Sequence, residues 1–343
     1  MRHSSNVDIV RAKDPVPLRT ELCDLLGIEY PIMQAGMGHI ARGALAATVS
    51  EAGGLGVVGS AHLTADELLN EIRLAKSMTD KPLGVDILFA KVSGTDQESV
   101  EYTQEVQSQV EIVFEEQVSV LISGLGSPGG VIEEAHDLGM TVMSIVGDVK
   151  QAKRLADEGV DGIIASGHEG GGHVGRVGTV VLIPEVVDAV DVPVVAGGGL
   201  VDGRGLVAAL AFGAVGVWMG TRFVATKEAH AHNNYKNKIV EIDEEGTIVS
   251  RAHSGKPCRI IRNKFTKEWE SREAEIEPFP RQFINVGRPA SIRGRIEGDV
   301  ENGVLPCGQG AGGIHEVKSA REVTLDIVEE ARSVLERLCY ARH

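Results

Sequence analysis

The stretch Pro193–Gly205, PVVAGGGLVDGRG, joins a short apolar run to a cluster of glycines. The stretch Val215–Arg222, VGVWMGTR, is likewise an apolar run that ends at a glycine. The segment between the two stretches is long enough for one helix. An apolar run of about five residues that stops at a glycine turn is typical of a strand buried on both faces. The two stretches therefore predict two buried strands, each followed by a glycine turn, with a helix between them.

Six earlier segments have the same apolar and β-branched character, so the sequence predicts eight strands. These are Pro31–Ala35, Leu55–Gly59, Leu83–Leu88, Ser119–Ser123, Thr141–Val146, Gly162–Ala165, Pro193–Ala196 and Val215–Met219. The segments with helical periodicity between them are Ala65–Met78, Ser99–Gln117, Gly130–Leu138, Val149–Glu158, Ile183–Ala189 and Gly203–Phe212. Alternating strands and helices imply a parallel sheet, and eight such units close into an α/β fold of the (β/α)8 TIM barrel type.

An open doubly wound sheet is the main alternative for alternating elements. Its dinucleotide-binding signature is GxGxxG, placed between the first strand and the first helix. The first predicted strand here runs into Gln34–His39, QAGMGH, which does not have that spacing. The barrel is therefore the predicted fold.

The chain outside the barrel divides into further parts. We expect an N-terminal arm over residues 1–17, the barrel over 18–226, a small substrate lobe inserted after strand eight over 227–302, and a glycine-rich return with a C-terminal helix over 303–343. Within the polar segment Lys227–Arg295, the pattern predicts strands at Thr247–Ser250 and Cys258–Arg262 and a helix at Lys264–Glu273. Apolar residues at helical spacing over Ala320–Leu338 predict an amphipathic helix that packs on the barrel wall.

The composition of the 343-residue chain limits the kinds of partner that it can bind and the cellular compartment in which we expect it. It has 34 Lys and Arg against 49 Asp and Glu, and the net charge of -15 argues against a general affinity for nucleic acid. The apolar runs are shorter than a membrane span, and the first residues lack the apolar core of a signal peptide. The four cysteines are scattered without CxxC spacing. We expect a cytoplasmic protein that acts on a small molecule, with a homo-oligomer left open.

The two glycine turns fall where (β/α)8 barrels usually hold a phosphate group, in the loops after strands seven and eight. Residues Gly197–Gly199 have no side chains, so several backbone N–H groups can approach an anion there. Met219, Gly220 and Thr221 add a second close approach and a hydroxyl. A helix that starts near Asp202 is expected to point its N-terminal dipole at the same anion. Together the two turns predict a phosphate cup, although either one alone is compatible with a simple turn.

The sixth predicted strand runs into Ser166–Gly175, SGHEGGGHVG, a glycine-rich loop with two histidines and one carboxylate. As metal ligands, His168, Glu169 and His173 would need a convergent geometry that three successive glycines do not fix, so no metal site is predicted. An imidazole that titrates near neutrality can instead serve as an acid or base beside a planar ligand. A surface loop with incidental histidines is the alternative. His39, after the first strand, could line the same cavity or have a packing role.

The run EGGGHVG over Glu169–Gly175 resembles the corresponding loop of the nitronate monooxygenase family, formerly called 2-nitropropane dioxygenases, and of the related flavin-dependent enoyl-acyl-carrier-protein reductases. Other matches follow in chain order between about Leu18 and the final helix. They are Pro31–Met37, Ala52–Gly56, Pro193–Gly199, Asp202–Gly205, Met219–Phe223 and Gly308–Gln309. As a set, these motifs are specific for the superfamily and much less specific for the reaction.

The resemblance implies FMN as the cofactor, with its phosphate on the glycine turns and its ring beside the turn after strand one. It implies that His173 is the catalytic residue, which takes a proton from a carbon next to a nitro or carbonyl group. The expected cofactor contacts are Ala35, Gly36, Met37, Asp86, Ser166, Gly171, Gly172, Gly175, Gly197, Gly198, Gly199, Met219, Gly220, Thr221 and Gln309.

At three positions the resemblance leaves the role of the residue open. Asp86 stands where these families usually carry asparagine, so its contact with the pyrimidine edge of a flavin is open. His39 and His168 are expected on the substrate side of the pocket, with loop packing as the alternative for His168.

The resemblance favours a nitronate monooxygenase, in which the carbon substrate gives electrons to the flavin and O2 takes them up. The alternatives are a NAD(P)H-dependent enoyl-thioester reductase, an acyl-CoA dehydrogenase-type flavoenzyme and an NAD(P)H:quinone reductase. A flavin-binding protein without turnover is the alternative from a different class. The intact His173 loop counts against that last alternative, because a storage site needs no base.

Overall fold

The computed structural model describes residues 18–89 and 103–340. The predicted arm over residues 1–17 and the start of the predicted helix Ser99–Gln117 lie outside the described residues. The strands are β1 (Ile32–Gln34), β2 (Gly56–Gly59), β3 (Leu83–Phe89), β4 (Val120–Gly126), β5 (Thr141–Val146), β6 (Gly162–Ser166), β7 (Gly172–His173), β8 (Val194–Gly197), β9 (Gly216–Met219), β10 (Thr247–Ser250) and β11 (Cys258–Ile261).

Helices follow most of these strands and cover the outside of the sheet. They are α1 (Glu21–Leu26), α2 (Gly43–Glu51), α3 (Ala65–Met78), α4 (Gln104–Glu115), α5 (Ile132–Asp137), α6 (Val149–Asp157), α7 (Thr179–Val187), α8 (Gly203–Ala211), α9 (Thr221–Val224), α10 (Asn233–Glu241), α11 (Lys264–Ser271), α12 (Arg288–Arg295) and α13 (Ala320–Tyr340). No helix in the described ranges is both long and apolar enough to cross a membrane.

Eight of the strands form one parallel sheet, in the order β1-β9-β8-β6-β5-β4-β3-β2. The sheet closes where β1 meets β2. There the backbone N–H of Gln34 donates to the carbonyl of Leu55, and the N–H of Leu55 donates to the carbonyl of Ile32, each at 2.9 Å. The fold is a (β/α)8 TIM barrel, and all eight predicted strands are confirmed.

Apolar side chains from the strands fill the inside of the barrel. The residues in mutual contact there include Met33, Val57, Val120, Ile122, Met143, Ile164, Val195 and Trp218. The strand residues that alternate with them face the helices, and at Gly56 this packing is especially close. A Cβ on Gly56 would lie 1.8 Å from the carbonyl oxygen of Ala46, so α2 can lie directly on β2 only because Gly56 has no side chain.

The helix after β6 begins earlier than the sequence predicts. The pattern predicts Ile183–Ala189, whereas α7 spans Thr179–Val187. The carboxylate of Glu169 accepts the backbone N–H of Thr179 at 2.9 and 3.1 Å, which satisfies one of the free N–H groups at the start of the helix. The first turn of α7 is therefore stabilised by a contact from the preceding loop, which the local pattern did not reveal.

A second sheet of three antiparallel strands, in the order β10-β11-β7, connects residues of the predicted lobe to the loop after β6. The predicted strands at Thr247–Ser250 and Cys258–Arg262 are confirmed as β10 and β11, and α11 occupies most of the predicted helix Lys264–Glu273. The sequence did not predict β7, because its two residues lie in a run of glycines. In this sheet Cys258 pairs with His173 and Arg259 pairs with Gly172.

The predicted helix Ala320–Leu338 is confirmed as α13, which packs against α8 and α2. Its contact with α8 is close, since a Cβ on Gly203 would lie 2.3 Å from the backbone nitrogen of Ala331. The predicted limits of the arm, barrel, lobe and return stay a prediction.

Candidate active site

The turns after β1 and β9 lie side by side at the carboxyl ends of the barrel strands. The backbone N–H of Ala35 donates to the carbonyl of Met219 at 2.9 Å. A Cβ on Gly220 would lie 3.6 Å from both Ala35 Cβ and Met37 Sδ, which is ordinary van der Waals contact. The structure therefore brings these four predicted cofactor contacts together.

The glycine loop after β8 has the backbone conformation that its sequence suggests. Gly198 and Gly199 have φ values of 99° and 74°, in the left-handed region that favours glycine. A Cβ on Gly198 would lie 2.8 Å from the backbone nitrogen of Gly167, so the loops after β6 and β8 pack backbone against backbone. Within residues 18–89 and 103–340, no acceptor bonds the backbone N–H of Gly198, Gly199 or Gly220. Three free donors of this kind suit an anionic ligand.

The contribution of the helix dipole near Asp202 to the phosphate cup stays a prediction. The Asp202 carboxylate accepts the backbone N–H of Gly205 at 3.0 Å, and the carboxylate of Glu330 accepts the N–H of Gly203 at 2.9 Å. The start of α8 thus already carries two anionic groups from the protein itself.

His173 lies in β7, where pairing with β11 fixes the backbone of the loop. Its Nε2 is 2.7 Å from the hydroxyl of Ser254, a fully buried residue of the segment between β10 and β11. Part of His173 is exposed to solvent, but desolvation of its ring by the surrounding protein lowers the pKa of the imidazole to about 4, and the positive charges of Lys256 and Arg295 act in the same direction. The ring is therefore neutral at pH 7 and can accept a proton.

A row of rings runs from the turn after β1 to His173. The rings of His39 and His62 stack at 4.2 Å between centroids, and His62 stacks on Phe283 at 5.5 Å. Phe283 meets His253 edge to face at 5.5 Å, and His253 lies 5.7 Å from His173. The row joins His39, a predicted substrate residue, to the predicted base.

Sequence reasoning missed His62, His253, Ser254 and Phe283. His62 follows β2 in a segment without a motif, and the other three belong to the lobe, where no recognisable pattern marks them. His62 has a φ of 74°, which is uncommon outside glycine and marks a constrained backbone. That constraint has no signature in the sequence.

Asp86 is a buried carboxyl on β3, next to the turn after β1. A Cβ on Gly36 would lie 2.3 Å from the Asp86 Cβ, which shows how closely the two segments pack. Burial raises the pKa of Asp86 to about 7, although a backbone hydrogen bond from Gly124 opposes the shift. Its Oδ1 has no partner among the described residues, and neither has the buried hydroxyl of Ser144 on β5. Buried polar atoms normally have a hydrogen-bond partner, so a water molecule or a polar ligand is expected at these two atoms.

His168 does not join the row of rings. Its Nδ1 is 2.8 Å from the carbonyl oxygen of Gly175, and its backbone carbonyl accepts a hydrogen bond from Arg259 Nε at 3.1 Å. The His168 ring therefore packs against its own loop, which contains Gly175.

The remaining predicted contacts lie around this loop. A Cβ on Gly171 would lie 2.7 Å from the backbone nitrogen of Gly308, and one on Gly175 would lie 2.7 Å from the carbonyl of Gly147. The backbone N–H of Gln309 donates to the carbonyl of Glu169 at 2.9 Å. A Cβ on Gly197 would lie 3.5 Å from Ser166 Oγ, and the hydroxyl of Thr221 accepts the N–H of Gly308 at 2.9 Å. A Cβ on Gly172 would meet nothing within 4 Å, and this residue is held by its pairing with Arg259. In the described part of the chain, no group of three or more His, Cys, Asp and Glu side chains is arranged to hold a metal ion.

Comparison with known proteins identifies the class to which this barrel belongs. The chain matches the model of the nitronate monooxygenase family over residues 19–330. The protein belongs to that family and is an oxidoreductase.

Three relatives show the range of activities around it. The chain is 34% identical to a (3aS,4S,5R,7aS)-5-hydroxy-7a-methyl-1-oxo-octahydro-1H-indene-4-carboxyl-CoA dehydrogenase of Mycobacterium tuberculosis, over 92% of this chain and 96% of that protein. It is 38% identical to FabK from Thermotoga maritima, with a TM-score of 0.84 over 94% of this chain and 98% of that one. It is 28% identical to nitroalkane oxidase from Streptomyces ansochromogenes, with a TM-score of 0.80 over 92% and 99% of the two chains.

Proposed function

We propose that the protein is an FMN-dependent oxidoreductase that oxidises nitronates and nitroalkanes with O2 as the electron acceptor. For a neutral nitroalkane, the protein first removes the proton from the carbon next to the nitro group, whereas a nitronate arrives without that proton. The observation that carries this proposal is the placement of a neutral, Ser254-bonded His173 at the same barrel mouth as three free backbone donors on glycine. Membership of the nitronate monooxygenase family supports the substrate class.

The residues at the mouth fit FMN. Gly198, Gly199 and Gly220 would hold the phosphate through their free N–H groups, which need no side chain. Asp86 would face the pyrimidine edge of the ring as a protonated acid, because a neutral carboxyl offers one donor and one acceptor as an asparagine amide does. The protonated carboxyl then keeps one donor and one acceptor at this position and lacks only the second N–H of an asparagine amide. When bound, FMN supplies the electron acceptor, and the chain supplies the base and the orientation.

Ser254 would set the tautomer of His173. A base needs a lone pair on the nitrogen that faces the substrate, so Nε2 must carry the other proton and donate it to the Ser254 oxygen. That oxygen also lies 3.4 Å from the backbone N–H of Lys256, which donates to it. The hydroxyl oxygen is thus placed as an acceptor, and the same bond would stabilise the imidazolium formed after proton transfer.

A second candidate is the oxidation or reduction of an acyl thioester with NAD(P)H as the redox partner. It is favoured by the charge of one part of the lobe, residues 251–295, which carry eleven Lys and Arg against five Glu; the whole lobe, residues 227–302, carries fourteen Lys and Arg against thirteen Asp and Glu. A local excess of positive charge suits a substrate on a phosphorylated carrier. The similarity to the carboxyl-CoA dehydrogenase agrees with this alternative.

Anaerobic reduction separates the two candidates. We expect a nitronate to bleach the visible absorbance of the FMN-loaded protein rapidly, and NADH or NADPH to bleach it slowly. Rapid bleaching by a pyridine nucleotide, with none by a nitronate, would contradict the first candidate and leave the thioester reaction.

The phosphate position is tested by Gly220→Asp. The new side chain fits sterically, since a Cβ at this position makes only ordinary contacts, but its charge would lie beside a phosphate dianion. Like charges at about 4 Å in a partly desolvated site repel by several kcal/mol, so we expect FMN to bind at least ~100-fold more weakly. Gly220→Ala is the matched control, which should keep the cofactor. The measurement is the Kd for FMN, with the Tm of the unloaded protein as a check on folding. Wild-type affinity in Gly220→Asp would place the phosphate elsewhere.

The protonation of Asp86 predicts a pH-dependent affinity for FMN. Its pKa is raised to about 7, so the carboxyl is neutral below that pH and gains a negative charge above it. We expect the wild-type Kd for FMN to rise by roughly tenfold between pH 6 and pH 9, because an anion cannot donate a hydrogen bond to the ring. Asp86→Asn cannot ionise and should show little change over the same range. Parallel pH profiles for the two proteins would mean that Asp86 does not contact the cofactor.

The role of His173 is tested by the protonation state of the substrate. Loss of a general base typically costs about 10²- to 10⁴-fold in rate, so kcat/KM of His173→Ala for neutral nitroalkanes should fall by that order. Nitronates arrive already deprotonated and should be affected less. His136→Ala is the control, because His136 bonds Asp161 ahead of β6, at the opposite end of the barrel. Equal losses on both forms of the substrate would show that His173 orients the substrate and does not take its proton.

A further inference from the structure

Arg295, the last residue of α12, is a buried cation without a counter-ion. The residue is 7% exposed. Its Nη1 donates to the carbonyl of Gly38 at 3.3 Å and its Nε donates to the carbonyl of Val304 at 3.4 Å, both near the upper limit for a hydrogen bond. Across residues 18–89 and 103–340, no carboxylate lies within 4 Å of its guanidinium. Buried charges are normally paired, so Arg295 calls for an explanation.

The other two buried arginines show what is missing at Arg295. The charge of Arg222 is stabilised by Glu316 and Asp326, and that of Arg259 is stabilised by Glu169. The groups that favour the charge of Arg295 are only the phenol of Tyr235 and the thiol of Cys258.

Neither of these two groups is ionised near pH 7. Burial raises the pKa of Cys258 to about 12 and raises that of Tyr235 as well. Arg295 therefore has neutral neighbours where Arg222 and Arg259 have carboxylates nearby.

Arg295 is also close to the mouth of the barrel. The carbonyl that it bonds belongs to Gly38, directly after the turn that follows β1. Burial lowers the pKa of the four histidines in the row of rings described above, and the positive charge of Arg295 acts in the same direction on His39, His62, His173 and His253. At the near end of this row, Nε2 of His39 is buried without a partner among the described residues.

We propose that Arg295 binds an oxyanion of the substrate, namely the oxygen that becomes negative when His173 removes the neighbouring proton. This inference rests on the proposed function for the identity of the base. The ligand chemistry is a planar oxyanion joined to the reacting carbon, present in a nitronate and in the enolate of an acyl thioester alike. Arg295 is then a catalytic residue, and its missing counter-ion is the substrate.

The proton transfer balances without another reagent. The C–H proton moves to the free nitrogen of His173, and the C–H electron pair becomes a double bond to the adjacent nitrogen or carbonyl carbon. The electron pair displaced from the N=O or C=O bond settles on oxygen, opposite the guanidinium. A preorganised cation at the site of a developing negative charge is a large source of transition-state stabilisation.

Arg295→Met distinguishes a ligand site from a structural role. Replacing an unpaired buried charge by an apolar side chain of similar length removes a desolvation cost, so we expect the Tm to stay the same or to rise. The probe is nitrate, a planar oxyanion that does not donate electrons. By calorimetry at fixed ionic strength, FMN-loaded wild-type protein should bind nitrate saturably, and Arg295→Met should bind it at least tenfold more weakly. Arg293→Met, at an exposed position of the same helix, is the matched control and should bind nitrate as the wild type does.

Three outcomes would overturn the proposal: no saturable nitrate binding by the wild type, equal binding by Arg295→Met, or failure of Arg295→Met to fold. The last outcome would show that the charge serves the fold. These measurements involve no turnover, so they are separate from the test of the proposed function. If His173→Ala retained proton abstraction while nitrate binding still required Arg295, the assignment of the base would fail and the anion site would stand. Whether nitronates or thioester enolates compete with nitrate then identifies the source of the oxyanion.

Discussion

Closure of a parallel sheet by backbone hydrogen bonds is the constraint on which the rest of this molecule depends. Because β1 bonds to β2 as well as to β9, the carboxyl ends of all eight strands meet at one face. Gly36, Asp86, Gly198 and Gly220 are far apart in the sequence, and this closure alone places them around one mouth. Close approach of helices to strands maintains it, as Gly56 shows on the outside of the barrel.

The pairing of β7 with β11 is the second constraint, and it acts on the site directly. A loop with three successive glycines has little conformational preference of its own, so the position of His173 would be poorly defined if the loop were free. Two residue pairs with β11 hold the loop, and the segment between β10 and β11 brings Ser254 to the imidazole. The lobe therefore contributes to the geometry of the proposed base, in addition to any part it has in recognising a substrate. We therefore expect that a change that disorders the lobe also lowers the activity of His173.

The sequence predicted the barrel well because each barrel strand is buried on both faces and is followed by a turn, which leaves a local signal. It predicted the glycine turns for the same reason, since the positive φ values of Gly198 and Gly199 require glycine. The sequence did not predict the features whose position depends on a contact between residues far apart in the chain. The start of α7 depends on Glu169, and the strand β7 depends on Arg259 and Cys258. His253 and Arg295 could not have been selected, because their significance comes from burial and from missing partners.

The electrostatics of the mouth form one system in which burial decides which groups are charged. Burial keeps Asp86 largely neutral below pH 7 and keeps the imidazoles of His39 and His253 neutral down to acidic pH. Arg295 cannot lose its proton in the same way, since the guanidinium remains charged even where burial lowers its pKa. Arg295 is thus a buried positive charge beside neutral groups in a region of low polarisability, where its field is screened far less than in water. Such a site favours an anion over a neutral ligand of the same shape, and the preference is strongest for a charge that forms only during the reaction. Desolvation and the charge of Lys256 keep the proposed base unprotonated before the substrate arrives, and the buried guanidinium of Arg295 adds to this effect. Arg295 would then also stabilise the anion left behind.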